Sequence, residues 1–208
     1  MHSIKYKVIE FLIVFIIVPV SFAINYSPLV KLGIGFSGFI YVMYVLLKTE
    51  NLKFKISKHL NWKPFWKATG INFFWIAIIT ILFVHITDSP SLFSVLLNKP
   101  LKWLILLLIY CFFSVYPQEL IFRTFFFKRY QELFKNESLL IFVNAIVFSL
   151  SHLFFGSTLV LVLTFVGGFL FAYTYTKTQS TILVSIEHAI YGCWLFTVGM
   201  GAFFGFPV

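Results

Sequence analysis

Glu119 and Arg123 stand four residues apart in Pro117-Gln118-Glu119-Leu120-Ile121-Phe122-Arg123, on one face of a helix and within reach of an ion pair. The run that contains them, from about Leu101 to Phe127, is otherwise apolar, and two later apolar runs each carry a histidine, His152 and His188. A carboxylate and an imidazole sharing a water can polarise it for attack on a carbonyl. A second imidazole can donate to the oxyanion of the tetrahedral intermediate. Two His and one Glu are also the ligand set of a catalytic zinc with its fourth position left to water, so a divalent metal on Glu119, His152 and His188 is an alternative route to hydrolysis. Arg123 has a role in either case, because an unpaired carboxylate in an apolar medium tends to protonate.

Taken singly, each residue has a bland reading. Glu119 and Arg123 can be a structural ion pair, and His152 a core histidine bonded to a backbone carbonyl. Glu187-His188 can sit at an aqueous edge. Their joint occurrence favours function, because membrane helices seldom carry so many ionisable groups without one.

The elements that must position these groups are membrane helices. Of 208 residues, 60% are hydrophobic and 11% charged, whereas soluble domains are about one quarter charged. Runs of about twenty apolar residues recur along the whole chain. The alternation of an outer-membrane barrel is missing, so the class is all-α: a polytopic transmembrane bundle of about seven helices. The formal charge of +9 lies mostly beside the apolar runs, which points to anionic lipid rather than nucleic acid. Cys111 and Cys193 both fall inside apolar segments and make no disulfide framework.

The predicted helices cover about Val8–Ala23, Val30–Leu47, Ala68–Thr87, Leu101–Phe127, Leu139–Phe155, Thr158–Thr176 and Thr181–Val198. Lys5, Lys7 and Ser21-Phe22-Ala23 imitate a signal peptide around the first, but Glu10 interrupts it and the stretch reads as a retained helix. Gly33-x-Gly35-x-x-Gly38 spells the dinucleotide fingerprint without its strand, and reads as small residues for close helix approach, as does Gly201-x-x-x-Gly205. The stretch Lys48 to Lys67, with Lys53, Lys55, Lys58, Lys63, Trp62 and Trp66, reads as a basic loop at the membrane surface, and Lys128, Arg129 and Lys135 mark another. Of the 16 Lys and Arg, all but Lys31, Lys99, Lys102 and Arg123 then fall inside, giving an N-in, C-out plasma-membrane protein. The expected division is 1–100 for the N-terminal helices, 101–198 for the core that carries the ionisable set, and 199–208 for an apolar tail.

On a rise of about 1.5 Å per residue, Glu119, His152 and His188 lie roughly 12, 20 and 11 Å along their helices from the inner face, so one shared depth is allowed. Pro117 is expected to kink its helix and free the carbonyl near Phe113.

Glu119-x-x-x-Arg123, Phe148-x-x-x-His152 and His188, in that order on successive helices, resemble the CPBP family of CAAX prenyl proteases and bacteriocin-processing (Abi-type) intramembrane proteins. The resemblance spans roughly Leu101 to Trp194. It implies an intramembrane endopeptidase acting on a peptide or membrane-protein substrate. Glu119 and His152 would activate water, His188 would bind the oxyanion, and Arg123 would position Glu119. Two positions depart: Gln118 stands where the family pattern has its first glutamate, and Gly192 where it has an asparagine. An amide cannot act as a general base, so Gln118 can only orient water. Glu187 is a spare carboxylate, and Tyr191 or Asn144 are the donors that can replace the asparagine. Three readings follow: a variant protease, a metal-dependent variant, and a non-catalytic member acting as an immunity or scaffolding factor. A small transporter is a further class, but no internal repeat supports it.

Overall fold

The computed structural model describes residues 3–50 and 62–206, which are helices and turns with no strand among them. Six spans among these residues are long and apolar enough to cross a bilayer: Pro28–Lys48, Trp62–Ser91, Pro100–Leu133, Glu137–Phe155, Thr158–Thr178 and Thr181–Val198. We name their helices α2 (Pro28–Lys48), α3 (Trp62–Asp88), α4 (residues 100–130), α5 (Glu137–Leu150), α6 (Thr158–Thr178) and α7 (Thr181–Val198). Before them comes α1, residues 4–21, which is Ile4–Leu12 and Val18–Ser21 joined by a π-helical turn, Ile13–Ile17. The chain is a multi-pass membrane protein. Leu29, Ile86 and Phe113 are among many large apolar side chains left exposed, as a lipid-facing surface requires.

Helix ends follow local chemistry. The Ser180 hydroxyl accepts from Leu183 N (3.3 Å) to start α7, and Asn136 Oδ1 accepts from Leu139 N (2.8 Å) to start α5. Gly199, at φ 113°, ends α7 in the left-handed conformation.

Two compact units divide the chain. One comprises Met1–Ile56 with Gln118–Tyr173, the other Ser57–Pro117 with Thr174–Val208. Each is assembled from two stretches of chain that are separated in sequence. In the first unit α1 packs on the end of α4 and on α5. Phe15 is fully buried there, with its ring 5.5 Å from Phe122 and 5.2 Å from Phe126. In the second unit α7 packs on α3 and on the first half of α4. Trp194 anchors that packing through Nε1–H to Thr80 Oγ1 (2.9 Å) and an edge contact with Phe73 (5.3 Å).

Several expectations need correction. Trp62 to Lys67 belong to the first turns of α3 rather than to a loop; Lys53, Lys55 and Lys58 lie outside the described residues. A methyl group added at Gly33, Gly35 or Gly38 would meet nothing within 4 Å, so these glycines allow no close approach among the described residues. Gly201 and Gly205 flank a short 3-10 turn, Gly201–Phe204, and do not form a helix face. Arg129 is no loop residue: it lies in the last turn of α4 and is only 1% exposed.

That burial has a partner which sequence spacing did not reveal. Arg129 donates from Nε to Glu10 Oε2 (2.8 Å), from Nη2 to Glu10 Oε1 (3.3 Å) and from Nη1 to Glu50 Oε1 (2.9 Å). Tyr130 and Tyr41 also donate to Glu10, the former at 3.0 Å. Glu10, which seemed merely to interrupt an apolar run, ties α1 to α4. A lone carboxylate in one apolar run and a lone guanidinium at the end of another were the available signal.

Candidate active site

The helix that carries Glu119 is irregular for a stated reason. Pro117 has no N–H and its ring crowds the carbonyl four residues back. The preceding stretch, Tyr110–Val115, is a π-helical turn, which relieves that clash by widening the helix. A second wide turn, Leu120–Phe125, follows, so Glu119 ends a short α-helical stretch, Tyr116–Glu119, between the two. The expected kink therefore takes the form of wide turns on both sides of the glutamate.

Glu119 and Arg123 are both fully buried, with Arg123 Nε 3.3 Å from Glu119 Oε2. The guanidinium is held on its other sides too. Arg123 Nη1 donates to Asn144 Oδ1 (2.8 Å), and Asn144 Nδ2 donates back to the Phe122 carbonyl (2.6 Å). Asn144 thus uses both ends of its amide to brace Arg123. The fixed guanidinium sets an opposite charge against the buried carboxylate.

Phe148, on the same face of α5 as Asn144, supplies the floor. The Arg123 guanidinium lies 4.8 Å from the Phe148 ring centroid and 5.7 Å from that of Phe171, both within cation–π range. Phe148 also meets the His152 ring, 4.9 Å between centroids. One phenyl ring therefore joins the arginine of the first motif to the histidine of the second. Gly168 of α6 makes room for it, because a Cβ there would fall 3.1 Å from Phe148 Cδ1 and 3.2 Å from Ala145 Cα.

His152 lies just beyond α5, not within it: the helix ends at Leu150, and His152 caps the 3-10 turn Leu153–Phe155. Its Nδ1 is 2.8 Å from the Phe148 carbonyl oxygen and 3.1 Å from Ser151 Oγ. A carbonyl only accepts, so Nδ1 carries the hydrogen in that bond. The backbone bond expected of a core histidine is present. It is also the bond that orients a catalytic one. His152 is half-buried and stacks on Phe155 at 6.0 Å. Gln118, also half-buried, immediately precedes Glu119.

The second unit holds Glu187, His188, Tyr191 and Gly192. Glu187 (1% exposed) and His188 (6%) are buried, so neither sits at an aqueous edge. Tyr191 donates its hydroxyl toward Glu187 Oε1 (3.0 Å) and the Thr69 carbonyl (3.2 Å). One hydroxyl proton directed at those acceptors is not a spare donor, and the Asn144 amide donates to the Phe122 carbonyl while accepting from Arg123. Tyr110, which sequence reasoning passed over, packs its ring edge to face with His188 at 6.1 Å. Cys111 and Cys193 are free thiols in contact, Sγ to Sγ 3.5 Å.

Within neither unit do three His, Cys, Asp or Glu side chains among the described residues gather into a metal-binding set. The guanidinium beside Glu119 already supplies the positive charge that a cation would bring there.

No curated protein and no solved structure matches the chain. Residues 100–194, the stretch that carries Glu119-x-x-x-Arg123, Phe148-x-x-x-His152 and His188, match the family described as type II CAAX prenyl endopeptidase, Rce1-like.

Proposed function

We propose that this protein is an intramembrane endopeptidase that hydrolyses a peptide bond with a water activated by Glu119 and His152. The observation that carries the reading is the buried assembly Glu119–Arg123–Phe148–His152. The Arg123 guanidinium beside Glu119, and the His152 imidazole oriented through Nδ1, both lie against the Phe148 ring.

In the reaction the water oxygen attacks the peptide carbonyl carbon. His152 Nε2 takes the water proton and returns it to the leaving amine when the C–N bond breaks. Glu119, positioned by Arg123, polarises the water and stabilises the imidazolium. Gln118 orients the water by hydrogen bonding. His188, carried over from the family pattern, donates to the oxyanion. No step passes through a metal, and the substrate is a peptide or membrane protein met in the plasma membrane. The test uses the purified full chain and an internally quenched peptide with a prenylated CAAX end, beside its unprenylated twin. Glu119→Gln and His152→Ala each abolish cleavage without loss of expression, and prolonged chelation leaves the wild-type rate unchanged. Cleavage retained in both variants sinks the proposal; loss on chelation restored by zinc transfers it to the metal-dependent form.

A second reading has its own support. Gln118 is not a base, and the Glu119–Arg123 ion pair is fully buried, as a structural strut would be. A non-catalytic immunity or scaffolding protein on this fold would keep its cellular phenotype in Glu119→Gln. Phenotype and cleavage lost together in that variant exclude it.

A further inference from the structure

Phe15 sits in the middle of the wide turn Ile13–Ile17 of α1 and is fully buried. Pro19 accounts for that turn: it has no N–H, and its ring crowds the Phe15 carbonyl four residues back. The helix widens there as α4 does before Pro117. The Phe15 ring meets Phe122 edge to face (5.5 Å, 72°) and stacks with Phe125 (6.2 Å, 21°). Both belong to the second wide turn of α4, Leu120–Phe125, on either side of Arg123. Phe122 in turn meets the Phe148 ring edge to face (5.2 Å, 87°), and its carbonyl accepts from Asn144. The rings of Phe15, Phe122, Phe148 and His152 are thus in successive contact, all inside the first unit. Glu10, one and a half turns earlier in α1, fixes that helix against Arg129 and Tyr130 of α4.

We infer that Phe15 is a positioning residue of the proposed peptidase: through Phe122 it fixes the Phe148 ring that Arg123 and His152 share. The inference rests on the peptidase reading. A π-helical turn is a rare conformation, and packing from outside must hold the one that carries Arg123. Phe15 supplies that packing on both neighbours of the arginine side chain. Interiors are close-packed, so removing one ring lets the rings it supports shift. Although α1 lies far from the peptidase motifs in sequence, it is then part of the assembly that performs the chemistry. Phe11 supplies a contrast within the same cluster. It stands one turn earlier in α1, with its ring near Phe126, Tyr130 and Phe134, at the end of α4 beyond the wide turn.

The experiment compares the full chain as wild type, Phe15→Leu, Phe11→Leu, Phe122→Leu, the double variant Phe15→Leu/Phe122→Leu, and Glu119→Gln. Each is assayed on the same quenched peptide, with its thermal midpoint measured in detergent. Phe15→Leu loses kcat by about tenfold to 100-fold with KM changed by less than about twofold, as displacement of a catalytic geometry does. Phe11→Leu lowers the midpoint but keeps the wild-type kcat. The double variant cleaves no more slowly than Phe122→Leu alone, because both changes break one path. Where Phe15→Leu does not reach the membrane, Phe15→Met, which keeps the bulk without the ring, replaces it in every comparison. A wild-type kcat in Phe15→Leu, an equal loss in Phe11→Leu, or losses that multiply in the double variant each overturn the role of Phe15. The peptidase reading stands in those cases if Glu119→Gln does not cleave. If wild type and Glu119→Gln are indistinguishable, the peptidase reading falls and takes this inference with it.

Discussion

His152 Nδ1 donates to the carbonyl oxygen of Phe148, 2.8 Å away and four residues earlier. The spacing between the two is thus a geometric device: the residue whose ring floors Arg123 is also the residue whose backbone sets the tautomer of the histidine. Phe148→Leu keeps that backbone bond and the bulk of the burial but removes the aromatic face. We expect it to fold, to lose about 1 kcal/mol or more of cation–π and ring contact, and to lower kcat with little change in KM. A Phe148→Leu enzyme with wild-type kcat would show that the ring is only packing.

Glu119 and Arg123 form a pair that neither side can leave alone. Arg123→Met strands a buried carboxylate and should cost about 3–5 kcal/mol, as should loss of either partner of a buried pair. Glu119→Gln with Arg123→Met removes both charges and should recover much of that stability while staying inactive. Thermal midpoints in detergent measure the cycle. Additive single-variant losses would mean that the pair contributes nothing as a pair.

Arg129 predicts a stability defect without a catalytic one. Arg129→Ala leaves Glu10 buried without its bidentate partner and should destabilise the first unit by about 3–5 kcal/mol. Activity per folded molecule should hold. Lys7 and Glu132 also form an ion pair (2.9 Å), but the Glu132 side chain is 61% exposed. Lys7→Ala should therefore leave the midpoint where it is. A defect in Lys7→Ala as large as that in Arg129→Ala would refute the distinction drawn from burial.

Cys111 and Cys193 offer a chemical check on the second unit. Their sulfurs are 3.5 Å apart, on α4 and α7. Mild oxidation of membranes should join them into an intramolecular disulfide, losing two hydrogens to the oxidant, and a thiol reductant should reverse it. Mass spectrometry of the cross-linked peptides reads the result. Cross-linking that appears only between separate molecules would contradict the α4–α7 register on which the placement of Tyr110 depends.

The sequence by itself determined the class, the helices and the candidate ionisable set. Apolar runs long enough for a bilayer, with charge left at their ends, force helices whatever the partners. The run from Thr181 to Val198 begins and ends in the structure where the Ser180 cap and Gly199 say it should. Glu119 and Arg123 paired as their spacing requires, because helix geometry is local. Partnerships between helices were decided by the tertiary structure. Asn144 was legible as a polar residue on the Phe148 face but not as the brace of Arg123, and Glu10 finds Arg129 across 119 residues. Tyr110 was invisible beside Gly192 for the same reason: a Cβ there would fall 2.0 Å from its hydroxyl oxygen. A helix sequence shows which residues share its face. Which residue of another helix rests on that face depends on how the two backbones pack, and here a missing side chain let them admit a phenol.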